Sequence, residues 1–149
     1  MQDIATLFAD YASYHRTKGN KVFHRLGIPM IMLTLFGMLA RVEIGPIDVA
    51  MIVIAASTAY YLMLDWRLGL AMLATSIVMY MAGAAMPLSV NVAIFVAGWI
   101  FQFIGHSVYE KKNPAFFRNF VHLLIGPLWI LNDVIPVVKR AHPSTNDVH

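Results

Sequence analysis

LGLAMLATSIVMYMAGAAMPLSVNVAIFVAGWIFQFIGHSVY, residues 68 to 109, runs for 42 positions without a lysine, arginine, aspartate or glutamate. A membrane-crossing helix needs about 20 apolar residues. The stretch therefore holds two spans, and Pro87 and Ser89 within residues 84 to 89 mark the turn between them. Ala71, Ala74, Ser76, Gly83, Ala93, Ala97 and Gly98 are small enough to let helices approach closely in lipid. Composition agrees with this reading. The 149-residue chain is 59% hydrophobic and only 13% charged, whereas a soluble domain is about 25% charged. Such a chain has too little polar surface to face water, and residues 1 to 149 read as one membrane-embedded domain.

Towards the N-terminus, Asp65-Trp66-Arg67 marks a membrane interface and Gly45 to Leu64 forms another apolar run broken only by Asp48. Leu26 to Ala40 is short for a span. Extending it back to Val22 brings His24 and Arg25 to the interface, with Gly27 and Pro29 placed to open the backbone there. Ile4, Leu7, Phe8, Tyr11, Tyr14 and His15 follow helical spacing, so residues 1 to 20 read as an amphipathic helix at the membrane surface. Gly19-Asn20 is expected to stop that helix, with Asn20 as the next N-cap. Asp3 and Asp10 and the missing apolar core exclude a signal peptide. Towards the C-terminus, residues 110 to 140 read as a broken or interfacial helix pair interrupted at Gly126-Pro127, followed by a polar tail over 141 to 149. The expected fold is an all-α integral membrane bundle. It has about four transmembrane helices over 22 to 109, an amphipathic helix before them and a broken helix after.

Arg16, Lys18, Lys21 and Arg25 precede the first span, while Lys111, Lys112, Arg118, Lys139 and Arg140 follow the fourth. Cytoplasmic loops carry such an excess, so both termini are expected in the cytoplasm, in a bacterial inner membrane or the endoplasmic reticulum. That topology gathers His15, His24, His106, Glu110 and His122 on one side. A single interfacial histidine is ordinarily just solvated, Glu110 beside two lysines fits a solvated helix end, and Tyr11, Tyr14 and Tyr109 fit an interface belt. Gln102 and Asn91 fit helix-helix hydrogen bonds. Joint placement is what raises the histidines above that background.

His106 and Glu110 are four apart and share a helical face, as do Asn119 and His122 at three. His15 and His24, nine apart, lie about half a turn out of phase and converge only if the helix breaks between them. The chain has no cysteine, so thiolate ligands are excluded. Imidazoles with one carboxylate suit a first-row metal, and open positions favour non-haem iron. No basic-aromatic pattern points to nucleic acid.

YHRTKGNKVFHRLGIP at 14 to 29 and GWIFQFIGHSVYEKKNPAFFRNFV at 98 to 121 resemble a family of small membrane proteins first described as a domain of unknown function. Its yeast member is an endoplasmic-reticulum 2-hydroxy-fatty-acid dioxygenase. The resemblance implies an Fe(2+)-dependent enzyme that uses dioxygen to shorten a 2-hydroxy fatty acid by one carbon. It places the family's polar motif on His15, Asn20, His24, His106 and Glu110. His122 stands outside that motif as a further ligand or a substrate-facing catalytic group, and Glu110 as a ligand or a catalytic group that orients a histidine. Arg16, Arg25, Lys112, Asn20 and Asn119 are the candidate contacts for the acid headgroup. Membrane lipid surrounds such a protein, and self-association is compatible with it. Two other classes fit the same residues. One is a noncatalytic lipid-binding or assembly protein with a structural metal; the other is a haem protein with His24 and His106 as axial ligands.

Overall fold

A computed structural model describes residues 3–110 and 121–138, with only the backbone of Glu110. Helix α1 (Ile4–Ser13) begins at Asp3, whose carboxylate accepts the Thr6 N–H at 2.8 Å. It ends earlier than the sequence suggested. Thr17, rather than Asn20, is the next N-cap, accepting the Asn20 N–H at 3.2 Å, and α2 (Lys18–Leu39) starts there. The break thus falls over residues 14 to 17. Asn20 is buried in the first turn of α2, and its amide donates to the Tyr14 carbonyl at 3.1 Å, strapping the connection. The helix continues through Gly27 and Pro29 without opening. Proline removes a single helical N–H, and packing against neighbouring helices carries α2 past it.

A feature absent from the all-helical expectation follows. Strands β1 (Glu43–Ile44) and β2 (Ile47–Asp48) form a two-residue antiparallel ladder that turns at Gly45, φ 63°. Asp48 then caps α3 (Val49–Leu64), accepting the Met51 N–H at 2.9 Å. Asp65 caps α4 (Trp66–Ala85) through the Arg67 and Leu68 N–H groups. Met86-Pro87 makes the expected turn into α5 (Leu88–Ile104), which continues as a π-helical stretch over Gly105–Glu110. Helix α6 is Val121–Val134.

Among the described residues, three helices are long and apolar enough to cross a membrane: Lys18–Leu39, Trp66–Ala85 and Leu88–Tyr109. Helix α3, with 16 residues, is roughly 24 Å long, short of the roughly 30 Å apolar slab. The first residues of that run went into the hairpin instead. Helix α6 passes through Pro127 as one 14-residue helix, so the expected break at Gly126-Pro127 is absent.

Helix α2 is the hub, packed along α5 and α4. At one end the helices meet backbone to backbone. A Cβ on Gly83 would lie 2.2 Å from the Leu33 carbonyl oxygen, and one on Gly37 would lie 2.5 Å from that of Gly83. Only glycine permits that approach. At the other end, Leu7, Phe8 and Tyr11 of α1 pack with Ile125, Leu128 and Trp129 of α6 and with Tyr61, Leu68 and Met72 of α3 and α4. Tyr61 adds a hydrogen bond, its hydroxyl donating to the Leu124 carbonyl at 2.6 Å. This cluster seats α1 and α6 against the adjoining ends of α3 and α4.

Candidate metal centre

Three of the five expected ligands meet at that end. His15 comes from the α1–α2 connection, His24 from the second turn of α2 and His106 from the π-helical end of α5. Each is buried to 3% exposure or less. Their positioning follows from local chemistry. Because the last turn of α1 tightens, the His15 N–H bonds the Ala12 carbonyl, and the Tyr11 carbonyl also accepts the His15 ring Nδ1 at 2.7 Å. The Tyr11 ring stacks on the imidazole, centroids 4.1 Å apart and planes 15° apart. Gly105 lets α5 close onto Asn20, where a Cβ would lie 2.4 Å from the amide oxygen. His106, the next residue, is thereby set opposite His24.

The His24 Nε2 lies 2.8 Å from the His15 Nε2 and 3.1 Å from the His106 Nε2, and one ligand atom from each ring falls within 4.8 Å of the other two. An imidazole nitrogen carries one in-plane proton or one in-plane lone pair. It cannot donate to one neighbour and accept from another. Nor can it donate to both or accept from both along its single axis. At most one of the two contacts is therefore a good hydrogen bond. A shared cation would resolve the conflict. At metal–nitrogen bonds of about 2.1 Å, two ligands at right angles sit roughly 3.0 Å apart, which matches the two spacings at His24. The His15 Nδ1–H bound to a carbonyl also leaves its Nε2 lone pair facing the other rings, the usual arrangement of a metal-binding histidine. Burial above all, with smaller contributions from His106, His122 and Lys21, pushes the His15 imidazole down to about 3. It is neutral at physiological pH, as a ligand must be.

The other candidates divide. His122 is buried beside the trio but outside it, its Nε2 2.7 Å from the Asp10 carboxylate and its ring edge-on to Tyr14. Arg16 is exposed, and Arg25 is exposed and paired with Asp133 at 3.1 Å. Asn20 serves the helix connection already described. The Glu110 side chain, Lys112 and Asn119 lie outside the described residues, as does the tail from 141. The π-helical setting of Glu110 changes the α-helical spacing from which a shared face with His106 was inferred. Axial ligands on opposite faces of a haem sit roughly 4 Å apart. The His24 and His106 nitrogens, at 3.1 Å, are closer than that.

A cleft of about 320 Å³ opens from the histidines between α2, α5 and α6. Tyr11, His15, His24, His106 and His122 line its polar end. Ile28, Ile31, Met32 and Leu35 on α2, Phe95 and Trp99 on α5, and Leu123, Leu124 and Pro127 on α6 line the remainder, with Gln102 one turn from His106. Two contributors were missed in the sequence. Tyr11 was read as a belt aromatic, although its four-residue spacing to His15 was visible. Asp10 carried no signal beyond being one acidic residue in an amphipathic helix.

Comparison with known proteins follows the same line. A family model described as 2-hydroxy-palmitic acid dioxygenase Mpo1-like matches residues 1–137. The 2-hydroxy-palmitic acid dioxygenase MPO1 of Saccharomyces cerevisiae is 28% identical over 135 residues, covering 87% of this chain and 78% of the yeast protein. No solved structure matches the chain.

Proposed function

From the premise that this chain belongs to the Mpo1-like family, we propose that it is an iron(II)-dependent dioxygenase that shortens 2-hydroxy fatty acids by one carbon. The observation that carries the proposal is the convergence of three buried ring nitrogens at the mouth of an apolar cleft. His15, His24 and His106 would hold the ion. Bound there, non-haem iron supplies a place for dioxygen and for the chelating hydroxyl and carboxylate of a 2-hydroxy acid. The reaction balances without an external reductant: C1 leaves as carbon dioxide, C2 becomes the new carboxyl carbon, and dioxygen takes up four electrons with release of one water.

The chain's own groups do the remaining work. Tyr11 fixes the His15 ring from two directions, through its carbonyl and its stacked face. His122, anchored by Asp10, walls the polar end beside the trio and faces the substrate headgroup. Exclusion of water from a buried site strengthens every polar contact made there. Exposed Arg16 and Arg25 draw the acid to the membrane surface, with Lys112 and Asn119 as further headgroup contacts. The acyl chain lies among apolar helices and never enters water. Both termini and the site lie on the cytoplasmic side, in accord with the basic residues around them.

The test is direct. Protein purified without oxygen and loaded with iron is given 2-hydroxypalmitate and dioxygen. The expected product is the acid one carbon shorter, with one dioxygen consumed per turnover. Iron-loaded protein that leaves the substrate intact would overturn the proposal.

A further inference from the structure

Helix α5 buries two polar side chains, Asn91 and Gln102, and they are used differently. Asn91 is fully buried between helices, and its amide donates to the Gly83 carbonyl at 3.0 Å. Gln102 is 4% exposed, yet its one hydrogen bond among the described residues is long, from Nε2 to the Phe23 carbonyl at 3.5 Å. That bond still fixes the amide's orientation. A carbonyl oxygen accepts only from the NH2 end, so Nε2 faces α2. Gly27 makes room for it, since a Cβ there would lie 2.3 Å from Nε2. Nothing among the described residues donates to Oε1, which keeps accessible surface where Gln102 lines the cleft. A buried amide is ordinarily satisfied within the protein. Apart from the Tyr11 hydroxyl, Oε1 is the only side-chain oxygen among the described lining residues.

The position of that oxygen suits one group of the substrate. Gln102 precedes His106 by four residues of α5, and Gly27, on which its amide rests, follows His24 by three residues of α2. On both helices the amide therefore borders the cleft one turn in from the histidines. The proposed function, on which this inference rests, puts the acid headgroup at the histidines and the acyl chain down the cleft. The amide then stands beside the first carbons of the chain. An acceptor there repels the carboxylate and gains nothing from a methylene. The one group of an ionised 2-hydroxy fatty acid that donates a hydrogen bond is its 2-hydroxyl. We propose that the Gln102 Oε1 accepts the 2-hydroxyl hydrogen and so makes the site select hydroxylated over plain fatty acids. The hydroxyl oxygen keeps its lone pairs free for the ion. With headgroup, hydroxyl and acyl chain each held at a separate place, the site also distinguishes the two enantiomers. A plain fatty acid sets a methylene against Oε1 and leaves it buried without a partner, a larger loss than that of the bond itself.

Gln102→Met tests this, because methionine keeps the length of the side chain and removes the oxygen. Iron-loaded protein under nitrogen is titrated, by displacement of a fluorescent fatty acid, with palmitate and with each enantiomer of 2-hydroxypalmitate. Turnover is then read in air. Wild type should prefer the hydroxy acid, and one enantiomer of it. In Gln102→Met the preference over palmitate should fall about tenfold, and the enantiomer ratio should move towards one, with palmitate bound at least as well as before. Iron content and helicity are read alongside, to confirm the fold. A purely structural amide predicts equal weakening of all three acids; that result, or ratios that do not move, overturns the inference. If Gln102→Met does not fold, Gln102→Leu carries the same test. Ratios that collapse while no acid is turned over support the hydroxyl contact and contradict the dioxygenase reading. Turnover with unmoved ratios does the reverse.

Discussion

The two ends of the helix bundle share close glycine packing but differ in the polar groups buried beside it. At the Gly37–Gly83 end, backbone meets backbone, and polar side chains bond helix carbonyls. Asn91 donates to Gly83, and Arg41 donates to the Gly37 and Met86 carbonyls, each at 2.6 Å. At the histidine end glycines again bring α2 and α5 together, Gly27 onto Gly98 and Gly105 onto Asn20, but buried imidazoles meet beside them and a cleft opens towards α6. Both ends use small residues to gain contact, as helices in lipid must. The histidine end also places polar rings where they satisfy one another poorly, which is sensible only if something else is to satisfy them. Both ends contribute to stability; under the proposed function, chemistry belongs to the histidine end alone.

If so, substitutions at the two ends should fail in different ways. The largest separation is expected between His24→Ala and Asn91→Ala. The first should lower turnover of 2-hydroxypalmitate more than 100-fold while leaving helicity intact. The second should keep turnover within a few-fold of wild type but lower the melting temperature in detergent, because the Gly83 carbonyl loses its buried donor. Equal loss of turnover in both would erase the distinction. Next in size is Gly83→Val. Its side chain would overlap the Leu33 carbonyl, and overpacking of that kind costs about 1–3 kcal/mol or more; chemical-denaturant melts followed by circular dichroism would measure it. Removing the rim cluster's aromatic anchor, Phe8→Ala, should cost about 3 kcal/mol and loosen α1, so metal affinity should fall along with stability.

Much of this contrast could be read from the chain. The charge-free run from 68 to 109 announced two spans and the turn at Pro87. The one-sidedness of His15, His24 and His106 followed from the basic residues around them, and the need for a break between the first two followed from helical phase. What was misplaced was the break itself. Thr17 and Asn20 are both good caps, and the choice between them depends on Asn20 reaching the Tyr14 carbonyl, a tertiary detail. The hairpin at Gly45 has only two residues per strand, too few to show alternation. Pro127 signals a break by its missing N–H, yet α6 stays one helix through it, packed by Ile125, Leu128 and Trp129. Local signals lost wherever packing outweighed them.

Smaller effects sharpen the picture of the histidine end. In metal-free protein, folding depresses the His15 pKa from its ordinary value near 6.5 to about 3. The unfolded chain therefore binds the proton first, and the associated stability, complete above pH 6.5, is lost as pH falls towards 3. Thermal melts of the metal-free protein should weaken over that window, and His15→Asn should flatten the slope. Smallest is Tyr61→Phe, which deletes the hydrogen bond to the Leu124 carbonyl and should cost about 1 kcal/mol with turnover unchanged.

The central claim is that three rings from three segments share one cation. Elemental analysis of protein purified without oxygen and reconstituted with iron(II) tests it most directly. Wild type should retain close to one iron per chain after desalting, and His15→Ala, His24→Ala and His106→Ala should each retain almost none. Full iron content in all three variants would contradict the account.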